Sequence, residues 1–248
     1  MNGILGVTLQ SMQNDAARME RISMNMANAL TPAYKREVIV EHTFGDLVQA
    51  GMNVDQQASS LEVVTDLRQG SFKVTGQSLD FAINGNAYFE LSTPQGPVYT
   101  RQGNFHLDAQ GRVVNQQGYP VMGKNGDIIV RSSKPVVDSN GQFIEDANGE
   151  SGGLSVGSVG QFKLVEFEHG SDLIKTGDGM LTAREGVWGA QSKNAQIHQG
   201  QLENANINSM HEMVQVMQTM RHFESMQRIT QGYDEMMGAA IRKLGDVS

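Results

Sequence analysis

The chain has 248 residues, of which 39% are hydrophobic, and it carries a formal net charge of −8 at pH 7 with no cysteine. This apolar content is that of a folded protein and excludes wholesale disorder. The negative charge, with no basic stripe, argues against electrostatic binding to nucleic acid. The missing thiols exclude disulfides, thiol catalysis and thiolate metal sites. No run of roughly twenty apolar residues is present to predict a transmembrane helix.

The first 30 residues have the spacing of a helix that packs lengthwise against other helices. Apolar positions recur every seven residues in two registers, which is the pattern of a coiled-coil seam. Thr31 and Pro32 predict the end of this helix near Leu30, because proline lacks an N–H and pushes the preceding residue out of the α region. The predicted N-terminal assembly seam consists of Leu5, Leu9, Met12, Ala16, Met19, Met26 and Leu30.

The middle of the chain is predicted to be rich in β-structure. Residues 36–68 are interpreted as an extended or loop-rich connection. Residues 69–200 alternate short strand patterns with Asn-Gly, Gln-Gly and Asp-Gly turn signals about every ten residues. This spacing predicts a central antiparallel sandwich or barrel.

The C-terminal segment is predicted to be a long helix that is capped by Asn208 or Ser209 and runs to about Leu244. Its apolar stripe drifts around the helix, which favours a packed helix over a strict two-stranded coil. Two explanations remain open: the terminal helices fold onto each other or onto the β region as ordinary core, or other copies cover them. The predicted C-terminal assembly seam consists of Met213, Val216, Met220, Phe223, Met237 and Leu244.

Three patterns in the sequence are similar to chemical sites, and none of them predicts one. GLSVG at 153–157 matches a nucleophile elbow around Ser155, but a strand pattern follows where that motif needs a helix. The acidic stretch 138–150 departs from the calcium-loop spacing and is interpreted as a hairpin with Asx turns. The six histidines do not have zinc-site spacing. The sequence therefore predicts no enzyme, catalytic residue, metal or cofactor.

Three segments resemble a known family, the bacterial flagellar rod and hook axial proteins. Residues 25–35 are similar to its N-terminal motif, with Met24 in place of a usual Asn and Ala33 in place of a usual Gly. Residues 79–112 are similar to the core of its β domain, and residues 200–224 to the approach to and body of its C-terminal helix. The family motif positions are Asn25, Ala27, Asn28, Thr31, Pro32, Tyr34 and Lys35.

The resemblance implies a structural component of the flagellar basal-body rod, in which paired terminal helices form part of the axial drive shaft. It implies a periplasmic location after export by the flagellar type III apparatus without a cleaved signal peptide. The implied partners are copies of the same chain and other rod and hook axial proteins, with no nucleic acid and no small-molecule substrate. Length near 250 and a short stretch after the TP motif favour a proximal-rod protein. A distal-rod protein and a secreted adhesin-like binding protein with oligomerising helices are the alternatives.

The expected fold class is α+β, with long terminal helices paired as a coiled-coil-like axial domain and a central antiparallel β-rich domain. The predicted boundaries are 1–35 plus 201–248 for the axial polymerisation domain, 36–68 for the connection and 69–200 for the β domain.

Overall fold

The computed structural model describes residues 2–40, 62–132, 135–146, 156–177, 179–192 and 194–245, with only the backbone described for 2–4, 145, 146, 156–159, 171, 240, 244 and 245. The described chain divides into two compact units. The helical unit contains the described parts of Met1–Asn28, Arg36–Asp66 and Ile207–Ser248. The β unit contains the described parts of Ala29–Lys35 and Leu67–Asn206.

The helical unit consists of two long helices and a strand pair. Helix α1 spans Asn2–Ala27, and helix α2 spans Ser209–Gly245. Strands β1 (Glu37–Val40) and β2 (Glu62–Thr65) pair antiparallel within the stretch interpreted as a connection. None of the described helices has the length and hydrophobicity needed to cross a membrane.

The helix termini follow local rules. Asn208 caps α2 as predicted, because its side-chain oxygen accepts the N–H groups of Met210 and His211 at 3.1 and 3.2 Å. Helix α1 ends at Ala27, three residues before the predicted end. There the Asn28 side chain donates to the Met24 carbonyl at 2.9 Å and closes the last turn.

The described part of the β unit is built from short antiparallel strands and one 3₁₀-helix, at Gly170–Asp172. The strands are β3 (Phe72–Val74), β4 (Phe81–Asn84), β5 (Ala87–Thr93), β6 (Gly96–Thr100), β7 (His106–Leu107), β8 (Val113–Val114), β9 (Met122–Gly123), β10 (Gly126–Asp127), β11 (Val136–Val137), β12 (Gln142–Asp146), β13 (Val156–Gln161), β14 (Leu164–Glu166), β15 (Leu173–Gly177), β16 (Met180–Ala183), β17 (Ala190–Gln191), β18 (Gln196–Gln199) and β19 (Gln201–Glu203).

The largest sheet has six strands in the order β15-β16-β6-β5-β14-β17. The other strands of this unit form separate sheets of two or three strands. The strand pairs in the described part of the β unit are antiparallel, as in β5 with β6 and β4 with β18. The prediction of an α+β fold, with a helix at each end and an antiparallel β-rich region between them, is confirmed.

Aromatic side chains fill the main core of the β unit. Phe162 lies at its centre, with its ring centroid 5.1 Å from those of Phe81 and Phe89 and 4.9 Å from that of Phe143. A second cluster contains Tyr88, Tyr99, Val165 and Leu181. Scarce aromatic residues are thus concentrated where they bury the most apolar area.

Three turns of the same type occur in the β unit. Asp108, Asn115 and Asp138 each accept the N–H groups two and four residues later through a side-chain oxygen, at 2.8 to 3.2 Å. The residue three positions later is in each case a glycine with positive φ: Gly111 (79°), Gly118 (85°) and Gly141 (78°). In the acidic stretch, one carboxylate oxygen of Asp138 therefore accepts hydrogen bonds within the turn itself.

Candidate assembly surfaces and buried ion clusters

Helices α1 and α2 pair antiparallel within the helical unit. His222 Nδ1 lies 2.6 Å from Asp15 Oδ2, and Asn25 Nδ2 donates to Glu212 Oε2 at 3.5 Å. Asp15 precedes Asn25 on α1 whereas His222 follows Glu212 on α2, so the two helices run in opposite directions. Both contacts keep the same register, because they are ten residues apart on each helix.

The face that α1 buries inside this unit is mostly polar. Thr8, Asp15 and Asn25 are buried there together with Ile22, and Glu212 and Thr219 are buried on α2. Residues 8, 15 and 22 are spaced by seven, so they lie on the same side of α1. This set lies one residue before the predicted register of residues 9, 16 and 23, which corresponds to a rotation of about 100° around the helix.

The predicted N-terminal seam lies to the side of this polar face. Its members are exposed or half-buried: Leu9 keeps 58% of its surface exposed and Leu30, in the β unit, keeps 97%. Leu5 and Ala16 are also exposed, and Met12, Met19 and Met26 are half-buried. The structure therefore leaves this apolar seam largely outside the contacts made within one chain.

The predicted C-terminal seam is divided between two faces of α2. Val216 and Phe223 are half-buried, near the stripe that faces α1. Met213, Met220 and Met237 are exposed. Leu244 lies in α2, and its side chain is outside the described part of the structure.

A stripe of exposed methionines runs along the first half of α2. Met210, Met213, Met217 and Met220 are spaced by three, four and three residues, so they share one helix face. We call these four residues the methionine stripe. A second exposed apolar group, Ile229, Met236, Met237 and Ile241, lies on the second half of α2.

A buried carboxylate connects α2 to α1 and β1 in the helical unit. Glu212 is fully buried and accepts from Arg36 Nε at 2.6 Å and from the Asn25 side chain. The Asn25 side chain also accepts the N–H of Glu37 at 3.0 Å and donates to the Glu37 carbonyl at 2.8 Å. It thus pairs with the backbone of Glu37 as the backbone of an adjacent strand would. Asn25, a family motif position, therefore fixes β1 against α1.

An open cavity of about 430 Å³ lies beside this cluster, between α1, β1 and α2. Its lining is polar and includes the buried side chains of Asp15, Asn25, Glu212 and Thr219. Every buried side-chain nitrogen and oxygen in the described part of the chain has a hydrogen-bond partner. The buried polar atoms that line the cavity are therefore already paired within the chain.

A second buried carboxylate joins the three segments that carry the family resemblance, all within the β unit. Glu203, from the C-terminal segment, accepts from Lys35 Nζ at 2.6 Å and from Arg101 Nε at 2.8 Å. Lys35 belongs to the N-terminal motif and Arg101 to the β-domain motif. The N–H of Gly70 donates to the same carboxylate at 3.0 Å. Arg101 donates further to the carbonyls of Ile83, Gly85 and Ala87.

The remaining family motif positions lie at the end of α1 and in the segment 29–35 of the β unit. Ala27 is exposed at the end of α1, and Asn28 closes its last turn. Thr31 accepts the N–H of Tyr34 at 3.3 Å through its carbonyl, beside the half-buried Pro32. Tyr34 is buried, with Lys175 Nζ 3.9 Å from its ring centroid.

Ala33 supplies the turn that the family pattern assigns to glycine. Its φ is 54°, and among the described non-glycine residues it alone has a positive φ. The Ala33 N–H donates to the Glu203 carbonyl at 2.8 Å, and the methyl group is buried. The turn therefore forms with alanine in a left-handed conformation that costs L-residues about 1–2 kcal/mol.

The ion cluster around Glu203 influences a neighbouring phenol. Burial raises the pKa of Tyr88 above its ordinary value of 10.0, Arg101 partly opposes this rise, and Glu203 adds to it. The Arg101 guanidinium lies 5.6 Å from the Tyr88 ring centroid. Burial and the Glu90 carboxylate likewise raise the pKa of Tyr99.

The described residues contain no group of three or more histidine, aspartate or glutamate side chains that is placed to hold a metal ion. Ser155 lies outside the described residues, and the segment after it is β13, an antiparallel strand rather than the helix of a nucleophile elbow.

Sequence reasoning missed the polar residues of the helical unit: Asp15, Arg36, Glu212 and His222. The apolar heptads are the strongest pattern in the helical segments. The sequence signal for a buried polar face is weaker than these heptads. Asp15 shares a heptad register with Thr8 and Ile22, which marks a buried face that is not apolar. Arg101 and Glu203 stand in the segments of resemblance, but their pairing joins residues 102 positions apart.

Two family models match the chain. Residues 82–210 match the flagellar hook protein FlgE/F/G D1 domain, and residues 198–243 match the flagellar basal body rod FlgEFG protein C-terminal region.

Full-length relatives agree with these matches. The chain is 29% identical to the flagellar basal-body rod protein FlgF of Mesorhizobium japonicum and 27% identical to that of Caulobacter vibrioides, in each case over 100% of both chains. It is 27% identical to the flagellar basal-body rod protein FlgG of Buchnera aphidicola, over 88% of this chain and 91% of the relative. Because the D1-domain match covers more than half of its residues, the chain belongs to the FlgE/F/G family of flagellar hook and basal-body rod proteins.

Proposed function

We propose that this chain is a structural component of the bacterial flagellar basal-body rod, specifically a proximal-rod protein. It acts as part of the axial drive shaft and carries out no catalysis. Family membership supports its assembly with other rod and hook axial proteins. The two full-length relatives named as rod proteins FlgF support the rod assignment.

One observation carries the assembly role: the terminal helices bury polar residues within the chain and leave apolar residues exposed. Thr8, Asp15 and Asn25 are buried, whereas Leu9 and the methionine stripe are exposed. Exposed apolar surface contributes about 25 cal/mol per Å² when it is removed from water. Extended apolar stripes on a folded chain therefore favour association.

The neighbour that covers these stripes is another axial subunit, in the first instance a second copy of this chain. The N-terminal seam of one copy packs lengthwise against the methionine stripe of the next, in coiled-coil-like contacts. Such a contact joins two different surfaces and is heterologous, so a rotation that does not close produces a helical array. Methionine suits this use because its flexible thioether side chain adapts to slightly different neighbours.

The helical unit thus acts as the polymerisation domain. The chain reaches the basal body through the flagellar export apparatus. Assembly completes the burial of the helices, so their stability depends on subunit concentration.

The function is tested by comparing two single substitutions one turn apart on α1. Both Leu9 and Gln13 are exposed in the free chain, so neither Leu9→Asp nor Gln13→Asp disturbs its interior. Leu9→Asp places a charge in the predicted seam and is expected to abolish incorporation into basal bodies. Gln13→Asp adds the same charge at a neighbouring exposed position that is not a member of the predicted seam and is expected to assemble. Near-UV circular dichroism checks that the β unit stays folded in both variants.

A deletion strain tests the same proposal in cells. Loss of swimming with truncated rods in electron micrographs, restored by the full chain and not by a chain missing residues 1–30, is the expected result. Normal rods and swimming in the deletion strain would refute the rod role. Equal incorporation of Leu9→Asp and Gln13→Asp would refute the seam.

A further inference from the structure

Seven of the described methionines are exposed, and four of them form the methionine stripe on one helix face; the other three are Met24, Met236 and Met237. Met210, Met213, Met217 and Met220 keep 74%, 49%, 48% and 50% of their surfaces exposed. Met122 and Met180 of the β unit are half-buried. With no cysteine in the chain, thioethers are its only sulfur nucleophiles.

We propose that the methionine stripe is an oxidation site, at which hydrogen peroxide converts the free chain into a form that does not assemble. The inference rests on the proposed function, because it takes the stripe to be an assembly surface. A sulfur lone pair attacks one peroxide oxygen, the O–O bond breaks and an S–O bond forms, and water leaves after proton transfer. The sulfur loses two electrons and the peroxide gains them, so no further reactant is needed.

The effect on assembly follows from the change in polarity. A thioether is apolar and flexible, whereas a sulfoxide is polar and chiral and disrupts methionine-rich interfaces. All four sulfurs lie on one helix face, so oxidation converts a continuous apolar stripe into a polar one. A subunit already packed in the rod has this face covered, so the free chain is the sensitive form.

The experiment measures assembly of the full chain before and after graded hydrogen peroxide, by light scattering and electron microscopy, with peptide mapping by mass spectrometry. The four stripe methionines are expected to oxidise before Met122 and Met180. Assembly of the oxidised chain is expected to be at least about tenfold slower, and methionine sulfoxide reductase is expected to restore it.

Two matched variants locate the effect. Each is scored by the ratio of its own assembly rates with and without peroxide, whatever its starting rate. Replacing the four stripe methionines by leucine, which has a similar volume, is expected to bring this ratio close to one. The variant Met122→Leu/Met180→Leu is expected to keep the full sensitivity of the natural chain.

The outcomes separate the inference from the proposed function. A natural chain that assembles and keeps its rate after the stripe is oxidised would overturn the inference and leave the rod role intact. Equal sensitivity of the two variants, or no recovery with the reductase, would also overturn it. A natural chain that does not assemble before oxidation would overturn the proposed function, and the inference with it.

Discussion

Glu203 holds two cations with one carboxylate in a site closed to water. Its side chain is fully buried, and those of Lys35 and Arg101 keep only 6% and 4% of their surfaces exposed. Removing one partner of a buried ion pair costs about 3–5 kcal/mol, because the other charge remains desolvated. The cost of replacing each of the three residues therefore depends on which buried charges remain unpaired.

Glu203→Gln is expected to destabilise the β unit by about 3–5 kcal/mol, because it leaves two buried cations without a counter-charge. Lys35→Met is expected to cost less, about 1–3 kcal/mol, because Glu203 keeps Arg101 and the Gly70 N–H. Urea unfolding followed by circular dichroism measures both. Adding Lys35→Met to Glu203→Gln is expected to recover part of the loss, and strict additivity of the two costs would contradict this account.

Ala33 provides a second test at the residue scale. Ala33→Gly relieves about 1–2 kcal/mol of left-handed strain but loses about 0.8 kcal/mol of buried methyl and about 0.5–1 kcal/mol of chain entropy. These terms nearly cancel, so its free energy of unfolding is expected to stay within about 1 kcal/mol of the natural value. Ala33→Val adds a branched side chain at a positive φ in a buried site and is expected to cost about 2–4 kcal/mol. Denaturant unfolding that ranks the two variants in the opposite order would rule out this explanation.

The two phenols with raised pKa values predict how stability depends on alkaline pH. A raised folded-state pKa means that the neutral phenol is favoured by folding. The stability contributed is full below the unfolded value of 10.0 and is lost as pH rises through the folded pKa. Tyr88→Phe/Tyr99→Phe is expected to flatten the fall in the urea midpoint between pH 9 and pH 11. Retention of the natural slope in this variant would contradict the assignment.

At the residue scale, the sequence marks apolar heptad positions more clearly than buried polar positions. Leu9 and Met213 stand out in heptads, but heptad spacing does not say whether the partner is the same chain or another. The buried face of α1 contains Asp15 and Asn25, and a polar residue becomes predictable as buried only when its partner is known. Those partners, His222, Glu37 and Glu212, come from other parts of the chain.

At the scale of elements, two of the three repeated turns allow a comparison of two contributions to the free energy of unfolding. One comes from a left-handed backbone and the other from steric crowding of an added side chain. A Cβ at Gly118 would meet nothing within 4 Å, whereas a Cβ at Gly141 would lie 2.7 Å from Ile197 Cδ1. Both glycines have nearly the same positive φ. The pair is therefore a matched comparison.

Gly118→Ala is expected to cost about 1 kcal/mol, from the left-handed backbone alone. Gly141→Ala is expected to cost about 2–4 kcal/mol, because crowding against Ile197 and Phe162 adds to the same backbone term. Thermal unfolding of the two variants measures the difference. Equal costs would show that the core relaxes around the added methyl group.

The predictability of the elements follows from how local their signals are. Helix α2 begins at a cap residue and repeats its apolar pattern over many turns, so its bounds were predicted closely. Strands β1 and β2 were interpreted only as an extended connection, because each has four residues and they pair across the stretch 41–61. Pairing at that separation leaves little trace in local periodicity.

At the scale of the whole molecule, the short segment 29–35 belongs to the β unit although it directly follows α1. The Ala33 N–H donates to the Glu203 carbonyl, and the Tyr34 carbonyl accepts the Asn206 N–H at 3.3 Å. Lys35 adds the ion pair with Glu203 and donates to the Arg68 carbonyl at 2.8 Å. The N-terminal motif is therefore an integral part of the β unit rather than a tail of the helix.

This architecture predicts that two fragments of almost equal length differ in stability. Fragment 29–206 retains the segment, and fragment 36–206 lacks it and leaves Glu203 without Lys35 and without the Ala33 N–H. Fragment 36–206 is expected to be less stable by about 3–5 kcal/mol in urea unfolding. Fragment 29–206 with Lys35→Met is the matched control and is expected to fall between them, because it keeps the two backbone hydrogen bonds. Equal stability of all three fragments would mean that residues 29–35 only connect the units, whereas the expected order would make the segment part of the β unit's core.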